Sequence, residues 1–265
     1  MNLDVITAVA LAAADADGAA PLDEATWRSL RADDPGWRGV VTDEGFALTH
    51  DVDLHLVVHP DHRGRGLGGR LLADVKGPTY AWSHGGHPAA ATLAARTGFQ
   101  RVRDLWVMRR PMALALPAQP EVAIRAYTDT DATELLRVNA EAFADHPEQG
   151  AMDAVDLAAR MAEPWFDPAG LLVAVVGHRM LGFHWTKQHS PDLGEVYVVG
   201  ISPDAQGRGL GRALTIAGLR HLAGLGVSEV LLYVEADNHA ALSTYSRLGF
   251  THADADTHVM YRRDA

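Results

Sequence analysis

The sequence predicts two tandem α/β (α+β) domains, the N-terminal one truncated. Three observations carry this reading: a length of 265 residues, a composition of 48% hydrophobic and 22% charged residues, and an internal repeat. The length suits two domains of about 130 residues each better than one. The composition excludes a largely disordered or collagen-like chain. The repeat joins His59-Pro60-Asp61-His62-Arg63-Gly64-Arg65-Gly66-Leu67-Gly68 to Ser202-Pro203-Asp204-Ala205-Gln206-Gly207-Arg208-Gly209-Leu210-Gly211, with Pro203 lying 143 positions after Pro60.

The elements follow in order. Val5–Ala14 and Asp23–Arg31 read as amphipathic helices, so the first half opens on helices and lacks an opening strand. Leu54–Val58 reads as a strand, the glycine loop follows, and Leu67–Val75 reads as a helix. Ala89–Thr97 is a helical stretch closed by Gly98-Phe99, where glycine suits a left-handed cap. A strand follows at Leu105–Arg109. Pro111–Pro120, with three prolines, reads as a linker, which divides the chain into 1–115 and 116–265. The second half is fuller. It gives a strand at Glu121–Tyr127, helices at Asp129–Phe143 and Asp153–Glu163, and a hairpin of Leu171–Val176 with Met180–Lys187 turning at Gly177-His178. Val196–Ile201 is then the strand before the second glycine loop, Leu210–Leu225 the helix after it, and Ala240–Leu248 a helix ending in Gly249-Phe250. A last strand covers His258–Arg262.

Composition excludes whole classes of function. Lys+Arg 23 against Asp+Glu 34 leaves a net charge of −11 with no basic run, which argues against nucleic acid or an anionic membrane as partner. With no cysteine, this chain has no disulfide, no thiolate metal site and no cysteine nucleophile. The apolar start lacks preceding basic residues and is followed by Asp15 and Asp17, unlike a signal peptide. No run approaches the roughly 20 apolar residues of a membrane span. The expectation is a cytoplasmic monomer. His84-x-x-His87 and the His55, His59 pair lack a third ligand, so no metal is expected.

A glycine loop between a strand end and a helix start gathers backbone N–H groups into one concavity, where the helix dipole adds positive potential. Arg65, Arg208 and Arg212 can neutralise charge there, and a diphosphate is the natural guest. Neither copy ends in the Gly-Lys-Ser/Thr of a Walker loop. The dinucleotide spacing of Gly64, Gly66 and Gly69 fails in the second copy, where the third position is Arg212. What both copies share is Gln/Arg-x-x-Gly-x-Gly, as Arg63, Gly66, Gly68 and Gln206, Gly209, Gly211.

In that pattern the chain resembles the GNAT acetyltransferase superfamily, whose loop binds the pyrophosphate of acetyl-CoA. Asn238, Ala241-Leu242, Tyr245 and Gly249-Phe250 resemble its second signature, beside the pantetheine arm. The resemblance implies mixed β-sheets flanked by helices. It also implies cofactor contacts from Val199, Gly200, Ile201, Gln206, Gly207, Arg208, Gly209, Leu210, Gly211, Arg212, Asn238 and Ala241. A possible second acetyl-CoA site would use Leu56, Val57, Val58, Arg63, Gly64, Arg65, Gly66, Leu67 and Gly68. Further runs resemble the tandem mycothiol synthase family: Asp17-Gly18-x-x-Pro21-Leu22, His146-Pro147-Glu148-Gln149-Gly150, Glu163-Pro164-Trp165-Phe166-Asp167-Pro168, Gly194–Gly200 and Leu232–Asn238. That family acetylates the cysteinyl amine of cysteinyl-glucosaminyl-inositol. The resemblance places Glu24, Glu148, Lys187, Glu195 and Tyr233 around this acceptor.

Amine acetylation needs a neutral nucleophile, and an α-amino group of pKa about 7.7–8.0 needs modest help from a base. Glu195, at the start of the strand feeding the loop, is the expected base. Tyr245 is the expected acid for the departing thiolate, and backbone N–H groups near Val199–Ile201 are expected to hold the oxyanion. Without a cysteine, direct attack in a ternary complex is favoured over a thiol acyl-enzyme. Carried back by 143, Glu195 falls on Val52, and carried back by 151, the distance from Gly98 to Gly249, Tyr245 falls on Ala94, so the first half keeps the loop without the proton-transfer groups. Plainer roles exist for several of these residues: Glu24 also suits a first-turn helix carboxylate, Glu148 a cap, Lys187 a strand-end charge, and Tyr233 and Tyr245 packing. Two rival functions remain. One is a tandem acetyltransferase acting on another amine, such as an aminoglycoside or a protein N-terminus; the other is a noncatalytic acyl-CoA-binding module.

Overall fold

The structure, a computed structural model, describes every residue except Asp74, Pro78, residues 145–148 and Ala265. It comprises two compact units, Met1–Val107 with Ala253–Ala265, and Met108–His252.

The first unit opens with α1 (Leu3–Asp17) and α2 (Glu24–Arg31). The Asn2 side chain accepts from the Val5 N–H, and Gly18, at φ 69°, closes α1 in a left-handed cap. Ile6, Val9, Ala10 and Ala13 form one buried stripe of α1, packed with Trp37, Phe46 and Leu48. Next come β1 (Arg38–Thr42), β2 (Gly45–His50) and β3 (Asp53–Val58), an antiparallel meander, then α3 (Leu67–Leu72) and β4 (Thr79–Ser83). β3 and β4 are parallel, paired among the described residues at Asp53 with Tyr80 and Leu54 with Ala81. α4 (Pro88–Arg96) and β5 (Gln100–Pro111) follow, and the division between the units falls within β5. Strands β1, β2 and β4 lie outside the sequence expectation. α3 stops at Leu72 and not at Val75; Gly68 and Gly69 weaken it and Gly77 turns the chain soon after.

The second unit begins with β6 (Ile124–Ala126), α5 (Ala132–Ala142) and α6 (Ala154–Met161), followed by β7 (Leu171–Val176), β8 (Arg179–Gln188) and β9 (Leu193–Ile201). α7 (Leu210–Gly224), β10 (Glu229–Glu235), α8 (His239–Arg247) and finally β11 (Thr251–Arg263) complete the chain. The sheet of this unit runs β6-β7-β8-β9-β10, antiparallel up to β9 and parallel between β9 and β10. Val173 packs with Leu135 and Val138 of α5, while its neighbour Ala174 packs with Leu210 and Leu214 of α7, so the sheet is covered on both faces. The segment expected as a linker is anchored. Arg110, 1% exposed, donates to the carbonyls of Leu248, Leu114 and Ala115, and Gln119 donates to the Ala213 carbonyl.

The partition differs from 1–115 and 116–265 at the C-terminus. Residues from Ala253 onward belong to the first unit because β11 pairs antiparallel with β4, Val259 opposite Ser83 and Arg263 opposite Thr79.

Candidate active site

In the second unit, β9 pairs with β10 only from Leu193–Glu229 to Val196–Leu232, although β9 runs on to Ile201 and β10 to Glu235. On its other edge β9 skips one residue: Trp185 faces Val198 while Thr186 faces Val196, which leaves Tyr197 as a bulge. A bulge bends its strand, and here the bend coincides with the point where β9 leaves β10. Past it, alternate residues of Tyr197–Ile201 turn their N–H and C=O groups into the opening, where no ladder from β10 satisfies them. This is the segment expected to hold the thioester carbonyl.

The glycine loop continues from that opening. Gly207 and Gly209 have φ of 73° and 75°, and a Cβ at either would meet nothing within 4 Å. Their glycines answer a backbone requirement, not a crowded site. Gly209 is the N-cap of α7 and offers no side-chain cap, so the first N–H groups of α7 are left for an anion. Gln206, Arg208 and Arg212 are exposed around it. Asn238 caps α8 by accepting from the Ala241 N–H at 3.1 Å.

Glu195 is 4% exposed in mid-β9, with Lys187 opposite on β8 and Leu231 opposite on β10. His189 donates from Nε2 to its Oε2 at 2.6 Å. The Lys187 ammonium lies 4.7 Å from the centre of the Trp165 ring and 5.5 Å from that of Tyr197, and the two rings meet edge-to-face. This aromatic wall shields a cation beside a buried carboxylate. Tyr245, on α8, is half-buried with its ring 5.8 Å from Phe250, and burial pushes its phenol up to about 12. Such a phenol is protonated at neutral pH and so has a proton to offer. Tyr233, on β10, is exposed. Glu148 lies outside the described residues. Glu24, in the first unit, is an exposed first-turn residue of α2. His189, Trp165 and Tyr197 were not among the sequence candidates. The hairpin register would have found His189, since it stands two residues past Lys187 and so on the same face as Glu195.

The first unit has its own opening. Where β3 and β4 part, a cavity of about 460 Å³ is lined by Leu56, Val57, Val58, Arg63, Gly64, Gly66, Leu67 and Gly68 of the expected second site. Arg65 is not among the lining residues; its carbonyl accepts from Arg70. Arg63 differs from Gln206 in what it does. Its guanidinium is held by both oxygens of Asp17, at 2.6 and 2.8 Å, so its charge is already compensated. Val52 is an exposed turn residue and Ala94 is buried in α4, neither able to move a proton. His55 also lines the cavity, and burial lowers its imidazole to about 4. Among the described residues no group of three or more His, Cys, Asp or Glu could hold a metal ion, and no helix is long and apolar enough to cross a membrane.

Known proteins resemble this chain in sequence and fold. Residues 134–250 match the sequence model of the Acetyltransferase (GNAT) family. A mycothiol acetyltransferase of Nocardioides sp. is 58% identical, aligned over 98% of this chain and 97% of its own, and one of Thermobispora bispora is 49% identical over 98% and 95%. A GCN5-related N-acetyltransferase from Sphaerobacter thermophilus has the same fold at a TM-score of 0.69 with 22% identity, covering 98% of this chain and 91% of its own. A tandem GNAT protein from the clavulanic acid biosynthesis pathway aligns at 0.65 with 19% identity, over 88% and 85%. The chain is an acetyl-CoA-dependent N-acetyltransferase of tandem GNAT architecture, and it belongs to the mycothiol acetyltransferase family.

Proposed function

We propose that the chain transfers acetyl from acetyl-CoA to the cysteinyl amine of cysteinyl-glucosaminyl-inositol, with the chemistry in the second unit. The observation that carries this is a buried carboxylate, Glu195, on the strand that leaves its parallel neighbour and runs into an uncapped helix N-terminus. Full-length similarity to proteins named mycothiol acetyltransferase supports the choice of acceptor. Glu195 takes a proton from the ammonium. The freed amine attacks the thioester carbonyl carbon, forming the C–N bond while N–H groups of the β9 opening hold the oxyanion. The C–S bond then breaks as the oxyanion collapses, Tyr245 protonates the departing thiolate, and the second proton of the attacking nitrogen passes to the tyrosinate and restores the phenol. Attack is direct, in a ternary complex. The first unit takes a second acetyl-CoA in its cavity without turning it over, for want of a base and an acid. We further propose that Lys187 and Tyr233 contact the acceptor.

The test is a panel of amines with coenzyme A release as readout and mass spectrometry of the product. The cysteinyl glycoside should gain one acetyl on nitrogen and exceed aminoglycosides and peptide N-termini in kcat/KM by at least about a hundredfold. Equal rates across the panel would point to another acceptor. Acetyl-CoA binding with no transfer to any amine would leave only a binding module.

A further inference from the structure

We propose that His189 is a positioning residue for this reaction, its imidazole holding the Glu195 carboxylate aimed for the acceptor amine; the inference rests on Glu195 being the base. The turn that presents it is well tied. The His189 N–H donates to the Leu193 carbonyl at 2.9 Å, and Ser190 Oγ accepts from the N–H groups of Asp192 and Leu193 at 3.2 and 3.1 Å. The β8–β9 register sets Lys187 opposite Glu195 and places His189 two residues on, on the same face. Because a carboxylate oxygen only accepts, the 2.6 Å contact fixes the hydrogen on His189 Nε2.

The exposure of the two partners differs in a useful way. The Glu195 side chain is 6% exposed and that of His189 33%, so the imidazole ties a buried charge to the surface of the hairpin. Holding Oε2 at a fixed point also fixes the direction of the other oxygen. Without that donor the carboxylate loses the hydrogen bond that fixes its orientation toward the acceptor amine. Other charged groups stand on elements paired with β9: Lys187 across on β8, Asp192 in the turn, and Glu229 on β10, which Arg109 holds at 2.8 Å. The test must therefore separate the imidazole's hydrogen bond from the charge of Lys187.

His189→Ala and His189→Gln do so in the full chain, since glutamine restores an N–H donor without a charge. The measurement is kcat/KM for the cysteinyl glycoside, with acetyl-CoA affinity measured separately. His189→Ala should lose about ten- to a hundredfold in kcat/KM. His189→Gln should recover most of the rate, and acetyl-CoA affinity should stay unchanged in both. A His189→Ala rate equal to that of the wild type, or glutamine no better than alanine, overturns the proposal. Glu195→Gln run alongside separates the two levels. If it abolishes turnover while His189→Ala does nothing, only the role of His189 fails. If Glu195→Gln retains turnover, the base assignment and the role of His189 fail together.

Discussion

Tyr245 holds its proton more tightly than a free phenol because burial disfavours the phenolate, pushing it up to about 12. Its hydroxyl therefore stays protonated wherever the enzyme works, so no falling limb of the pH–rate profile below about pH 11 should belong to it. Tyr245→Phe should lower kcat about ten- to a hundredfold, the modest end of acid catalysis, because a thiolate leaves without much help. Acetyl-CoA affinity should not move. An unchanged kcat would remove the tyrosine from the reaction. His184 shows the opposite effect of burial on a base. It is fully buried, Nδ1 donates to the Leu214 carbonyl at 2.8 Å, Nε2 has no partner among the described residues, and desolvation lowers it to about 4. A folded-state pKa below the ordinary 6.5 means the unfolded chain takes up the proton first as the pH falls. Stability is thus intact above about pH 6.5 and should fall, by up to about 3 kcal/mol, between there and about pH 4. His184→Gln should flatten that loss in thermal melts across the range. A wild-type melting temperature constant from about pH 7 to about pH 4 would contradict the assignment.

On the proposed reading, acetyl-CoA binding depends on the strand, loop and helix from β9 to α7. Gly209 at φ 75° sets both the end of the loop and the start of α7, in a conformation that costs an L-residue about 1 kcal/mol or more. Gly207→Ala combined with Gly209→Ala should raise the KM for acetyl-CoA about tenfold or more and leave the acceptor's KM nearly unchanged, read from initial rates at varied cofactor. Equal affinity in that variant would place the diphosphate elsewhere. α7 carries a second constraint. A Cβ at Gly218 would come within 2.0 Å of the His184 ring, so the helix packs on β8 only because that position is bare. The loops and α8 were legible because glycine spacing and caps are local signals. β1, β2 and β4 were not. β1 is largely exposed, and β4 spans only Thr79–Ser83, so neither shows the apolar run that marks β3 or β9.

At the scale of the molecule, repetition gave the architecture and pairing gave its exceptions. Two glycine loops 143 positions apart point to two related units, and each unit has a parallel strand pair that opens toward its loop. That β11 belongs to the first unit depends on which strand lies beside β4, which no local pattern encodes. The same holds for the candidate site. Glu195 and Tyr245 were visible by motif, whereas His189 on Glu195 and Asp17 on Arg63 are contacts that only the folded register creates. The units differ where chemistry is at stake: the second pairs its loop with a buried carboxylate and a phenol, and the first with Val52 and Ala94. Single-turnover acetyl transfer by the Glu195→Gln, Tyr245→Phe double variant, with both glycine loops intact, tests this division most directly. The account predicts acetyl-CoA binding at wild-type affinity with transfer slowed by about a thousandfold or more. Transfer at a near wild-type rate would contradict it and place the chemistry outside the β9 opening.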